Sequence, residues 1–163
     1  MEVLENLLGS HQAAEAVLTF FAAMIPVLEL RFAIPFGVAR GLRLWTSIWA
    51  SILGNLVPVP FIVVFITRIF AWLREKNQKF NSLVDSMERR AEGKKATVEK
   101  YAFWGLVVLV AIPLPGTGAW TGALVAAMMR MRLKRAFPAI AVGVVIAAVI
   151  VAVITYGAKM VFG

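Results

Sequence analysis

Apolar residues fill four long blocks of this chain, and a single long polar stretch lies between the second and the third. Residues 16–42 are interrupted only by Glu29, Arg31 and Arg40, while 44–67, 101–129 and 136–158 carry no charge. Each block is long enough to cross the hydrocarbon layer of a bilayer, which takes about 20 helical residues. The polar stretch, 68–100, has nine basic and five acidic residues. Within it Phe80, Leu83, Val84 and Met87 recur at helical spacing, which predicts an amphipathic helix lying on the membrane surface. Residues 1–15 lack a basic leader and predict a short polar or interfacial helix.

Two of the apolar blocks are broken by proline. The first break is Ile25-Pro26-Val27-Leu28-Glu29-Leu30-Arg31-Phe32-Ala33-Ile34-Pro35; the second is Ile112-Pro113-Leu114-Pro115-Gly116-Thr117-Gly118-Ala119-Trp120-Thr121-Gly122, 87 residues later. Lipid cannot satisfy the backbone groups that such a break frees, so a break persists where protein or a water-filled cavity surrounds it. Breaks at matching places in two halves point to the binding site of a transporter built from repeats.

Charge placement constrains the path. The polar stretch and the turn Arg130-Met131-Arg132-Leu133-Lys134-Arg135 are both basic, and basic flanks favour the cytoplasmic face. Both sit there if 101–129 dips into the membrane, turns near 113–118 and returns; each limb then measures about 18 Å at the usual helical rise. The first half permits the same hairpin upside down, although Arg40 and Arg43 then face outward. With the Ile-Pro pairs superposed, Ala50-Ser51-Ile52-Leu53-Gly54 also nearly matches Ala139-Ile140-Ala141-Val142-Gly143, at an offset of 89. The expectation is one all-α integral membrane domain of two inverted repeats, 1–75 and 101–163. Each repeat is a re-entrant helical hairpin plus a transmembrane helix, and a cytoplasmic amphipathic connector, 76–100, joins them.

Composition agrees. The chain of 163 residues is 61% apolar, with a mean hydropathy of +0.82 and a formal net charge of +8. The positive charge flanks apolar blocks, so it fits orientation and anionic headgroups better than a nucleic-acid partner. Cysteine is absent, which rules out disulfides and thiolate metal sites. No residues have metal-ligand spacing, no phosphate loop ends in Lys-Ser/Thr, and no nucleophile has a base beside it. No cofactor is expected, and an enzyme is the weakest of the function classes.

The candidate chemistry lies in the breaks. Glu29 and Arg31 are opposite charges deep in an apolar block, where an ionisable group is a functional candidate by default. At i and i+2 they diverge on a regular helix, but in an unwound turn they can meet. Glu29 is the candidate for proton coupling and Arg31 for holding an anionic group; the bland alternative is a structural ion pair. Gly116, Thr117, Gly118, Trp120 and Thr121 resemble a cradle for an anion or polar headgroup at the start of a returning helix, with tight helix packing as the alternative. Asn55, beside Gly54 and the prolines Pro58 and Pro60, could cap broken backbone or line a cavity. Arg40 reads as an interfacial anchor, the other tryptophans as belt or packing residues, and His11 is given no role.

At these motifs the chain resembles the small multidrug export proteins of bacteria and archaea. The resemblance rests on Glu29-Leu30-Arg31 with Ile34-Pro35, on Gly54-Asn55, and above all on the run from Ile112 to Ala126. Phe32 stands where much of that family is expected to carry glycine. The resemblance implies a multi-pass protein of a prokaryotic cytoplasmic (inner) membrane that exports small molecules. A more distant similarity of architecture, to the DedA membrane proteins, implies an alternative: a carrier of anionic, polyprenyl-phosphate-type lipids. A non-transporting assembly protein is the third reading. Lipophilic cations would favour Glu29, anions Arg31, and both stay open here. Few crossing helices are available to wall a cavity from lipid, so the expected partners are membrane lipids, a small-molecule or lipid substrate, and a second copy in a homodimer.

Overall fold

Proline decides where the first helix stops. In the computed structural model, which describes residues 2–76, 95–114 and 117–162, helix α1 spans Glu2–Met24. Pro26 has no N–H to give the carbonyl of Ala22. That carbonyl accepts from Ile25 N–H instead, at 3.2 Å, tightening the last turn. Leu28 and Glu29 both donate to the carbonyl of Ile25, and Glu29 takes a positive φ of 46°, which is uncommon for a residue with a Cβ. Helix α2, Glu29–Ala39, follows.

After a short turn come α3 (Leu44–Leu56) and α4 (Pro58–Lys76). Val57 between them is helical in φ and ψ and donates to Leu53, so the two helices run almost without interruption. Helix α5, Lys95–Ala111, stops just short of Pro113; α6 is Ala119–Met128 and α7 is Leu133–Phe162. No strand occurs among the described residues.

Helices α2 and α6 end alike. Leu42 N–H returns to Gly37 O and Gly41 N–H to Val38 O, at 2.9 and 3.0 Å. Met131 N–H returns to Ala126 O and Arg130 N–H to Ala127 O, again at 2.9 and 3.0 Å. Both are Schellman closures, which satisfy the last carbonyls of a helix by turning one residue left-handed. Gly41 adopts that conformation at no steric cost, and Arg130 adopts it at φ 53°.

Small residues set the packing. Along α7, Ala136, Ala139, Ile140, Val144, Ala147, Ala148 and Val151 are buried as one helical stripe. A Cβ on Gly143 would lie 2.9 Å from the carbonyl of Val107 and 2.7 Å from the Cβ of Val110, so glycine lets α7 lie against α5. Gly54 does the same for α3 against α1, where a Cβ would overlap the carbonyl of Phe20. Such contacts are typical where helices associate without a hydrophobic driving force between them. The outward faces carry Trp45, Trp49, Phe61, Phe65, Val149, Val153 and Ile154, all exposed. An apolar exterior of this kind suits contact with lipid rather than water.

Leu44–Ile66 and Leu133–Ala158 are long and apolar enough to cross a bilayer, with mean hydropathies of 2.0 and 2.9. Tyr101–Ala111 and Ala119–Met128 are shorter apolar helices separated by the second break, so 101–129 is not one rod. One expectation is corrected. Residues 2–15 do not form a separate interfacial helix but are the first part of α1, because no proline precedes Pro26 and the helix runs through Gly9. The expected amphipathic segment holding Phe80, Leu83, Val84 and Met87 lies outside the described residues, as do Pro115 and Gly116.

Candidate functional site

The two breaks meet. Arg31, on the first turn of α2, reaches across to the connection between α5 and α6. It donates to Thr117 Oγ1 at 2.8 Å, to the carbonyl of Ile112 at 3.2 Å, and to the carbonyl of Thr117. The chain leaving α5 thus presents its carbonyls to a guanidinium, the charge that complements a helix C-terminus. Thr117 Oγ1 lies 2.7 Å from the carbonyl of Ile112 and 2.9 Å from that of Leu114, which folds the connection around the same point.

Glu29 serves the opposite end. Its Oε1 accepts from the backbone N–H of Trp120 at 3.2 Å, in the first turn of α6. A carboxylate there complements the positive end of the helix and satisfies a donor that has no partner within it. Oε2 lies 3.4 Å from Arg31 Nη1. The positive φ of Glu29 unwinds the chain enough for the i, i+2 pair to meet. Glu29 is only 3% exposed.

Gly118 makes room for this arrangement. It caps α6 with φ 131° and ψ −166°, a conformation reserved for glycine, and a Cβ there would overlap the Glu29 carboxylate. Trp120 closes the exchange. Its indole Nε1–H donates at 3.0 Å to the carbonyl of Met24, the last residue of α1. Each break therefore caps helix ends belonging to the other.

The sequence places Glu29, Arg31, Thr117, Gly118 and Trp120 at one site, and the structure brings these five together. Gly116 is not among the described residues. Thr121 lies on the first turn of α6, whereas Thr117 precedes that helix, so the two do not share a helical face. Asn55 is wholly buried, with neither side-chain atom hydrogen-bonded, and so is the hydroxyl of Ser51 one turn earlier on α3. Ser47, a further turn back, donates to the carbonyl of Ile34, and a Cβ on Gly37 would overlap its hydroxyl. Gly37 and Ser47 are therefore level on antiparallel α2 and α3. Glu29 and Asn55 each lie eight residues beyond that level in the same direction, about 12 Å at the helical rise, so they too share a level.

A second charged pair was not singled out in the sequence. Glu15 on α1 is buried and accepts two bonds from Arg40, at 2.5 and 2.7 Å, in the fork geometry of an Arg–carboxylate pair. The Arg40 hydrogen bonds hold the Glu15 carboxyl below its ordinary range. Arg40 is thereby a tie between α1 and α2 rather than only a headgroup anchor. Helical spacing offered no signal for the pair, because the partners are 25 residues apart on different helices.

Among the described residues no cluster of His, Asp or Glu could hold a metal ion. The family model described as "Putative small multi-drug export protein" matches residues 29–150, which include Glu29, Arg31 and the whole of the second break with Trp120, while Pro26 lies just ahead of the match. No curated protein and no solved structure matches the chain.

Proposed function

Since the chain belongs to the small multi-drug export protein family, we propose that it is a proton-coupled membrane exporter whose exchange group is Glu29, at the meeting of two re-entrant hairpin tips. The observation that carries this reading is the buried Glu29 carboxylate, shared between Arg31 and the N-terminus of α6. It is an ionisable group at membrane depth, held by contacts that depend on its charge. Protonation removes that charge and loosens both contacts, which frees the two breaks to shift against each other.

The same geometry bears on the charge of the substrate. Among the described residues the terminal nitrogens of Arg31 face oxygen atoms of the chain itself and Glu29 occupies the start of α6, which supports a cation over an anion. An exporter driven by an inward proton gradient must also bind substrate and proton in competition, so that one leaves as the other enters. A lipophilic cation competing with a proton for Glu29 meets both conditions. The unpartnered Asn55, at the level of Glu29, and Ser51, one turn away, would supply polar lining, and two copies of the chain would complete the wall against lipid.

Reconstituted vesicles carrying a pH gradient and the cationic dye ethidium test the reading. Gradient-dependent accumulation that disappears in Glu29→Gln is expected. Accumulation that survives Glu29→Gln would contradict the proposal, and gradient-driven movement of an anionic dye in place of ethidium would overturn the substrate charge. An anionic-lipid carrier would move labelled lipid between leaflets instead. An assembly protein would move neither.

A further inference from the structure

An apolar groove of about 360 Å³ lies open between α5 and α6. Tyr101, Gly105 and Leu109 line one wall, and Val125 and Met129 the other. The volume falls within the usual range for small-molecule pockets, roughly 300–1,000 Å³. Gly105 is the floor of the groove, since a Cβ placed there meets nothing within 4 Å. At one end, Met129 leads directly into the turn that carries Arg130, Arg132, Lys134 and Arg135 with no acidic residue among them. Arg132 and Lys134 are exposed there.

An apolar slot the length of a few helical turns, ending at a cluster of cations, matches an amphiphile with an anionic head. We propose that this groove holds an acyl chain of an anionic phospholipid whose headgroup rests on Arg132 and Lys134. A second copy of this chain fits less well, because a two-fold contact across this face would set the two basic turns against each other. The site is separate from Glu29, and its test does not depend on transport.

Native mass spectrometry of the delipidated full-length chain, titrated with phosphatidylglycerol or with phosphatidylcholine of the same acyl composition, reads the binding directly. One tightly held phosphatidylglycerol is expected, with phosphatidylcholine weaker. Each basic residue removed should weaken phosphatidylglycerol binding by about fivefold, so Arg132→Ala with Lys134→Ala loses about 25-fold. Gly105→Phe fills the groove and should abolish tight binding of both lipids. Equal affinity for the two lipids, or a Gly105→Phe protein that binds like the wild type, would overturn the proposal. If Gly105→Phe does not fold, the double alanine variant decides: unchanged phosphatidylglycerol affinity contradicts the headgroup site.

Discussion

A methyl group at position 118 would collide with the carboxylate of Glu29 and would also have to adopt a backbone conformation reserved for glycine. Gly118→Ala should therefore cost about 1–3 kcal/mol and abolish gradient-driven transport together; an unchanged melting temperature of the purified variant would show that Glu29 does not dock there. Glu15 gives a prediction of different kind. Its carboxyl is held below the ordinary range by Arg40, so the folded state takes up a proton less readily than the unfolded one. The stability this contributes is complete above the ordinary carboxylate pKa of about 4.3 and is lost as pH falls through the lower folded value. In a melting series against pH, Glu15→Gln should lie below the wild type near neutrality and converge with it in acid. Parallel curves at every pH would argue against the pair. The sequence made Glu29 and Arg31 conspicuous because each charge stands inside an apolar block. It could not show that Arg31 is consumed by carbonyls of the second break, or that Trp120 caps Met24, since neither partner is local in the chain. Glu15 escaped notice because it sits at the polar edge of its block, where a carboxylate raises no question.

At the scale of helices, proline marked some ends and not others: Pro35, expected within the first break, lies inside α2, and Pro138 lies inside α7. Pro26 and Pro113 each remove an amide that the helix would need, and α1 and α5 stop two residues ahead of them. Glycine spoke less plainly. Gly54 and Gly143, 89 residues apart, both stand where a Cβ would press on the backbone of the partner helix, at Phe20 and Val107. The Schellman closures of α2 and α6 repeat at the same offset of 89, as do the starts of the following helices at Leu44 and Leu133. These coincidences support the proposed repeat more strongly than the apolar alignment, because hydrogen bonds and close contacts do not recur by composition alone. Gly54→Ala and Gly143→Ala should each destabilise the protein by about 1–3 kcal/mol through overpacking, whereas Gly157→Ala, which faces open space, should be neutral or stabilising by up to about 1 kcal/mol. Thermal melts of the three variants separate the cases. Equal shifts would mean that helix propensity rather than close approach governs these positions.

For the molecule as a whole, the all-helical class and its two candidate spans were legible in long charge-free blocks, because lipid permits few other ways to satisfy a backbone. The polar connector gave a helical pattern, but residues 77–94 fall outside those described, while Lys76 ends α4 and Lys95 begins α5. The exterior matches the membrane reading: large apolar side chains face outward along α3, α4 and α7, while the interior of the second half is lined largely by alanine and valine. The proposed path brings the two hairpins in from opposite faces so that their tips exchange caps near the middle. In that arrangement the turn before α3 and the turn before α7, equivalent in sequence, lie on opposite sides of the bilayer.

The chain has no cysteine, so a single thiol introduced at either turn reports its side without interference. Arg43→Cys and Arg132→Cys, tested separately in oriented membrane vesicles with an impermeant maleimide, address the path directly. The account predicts that one is labelled from outside and the other only after the vesicles are opened. Labelling of both from the same side would contradict it.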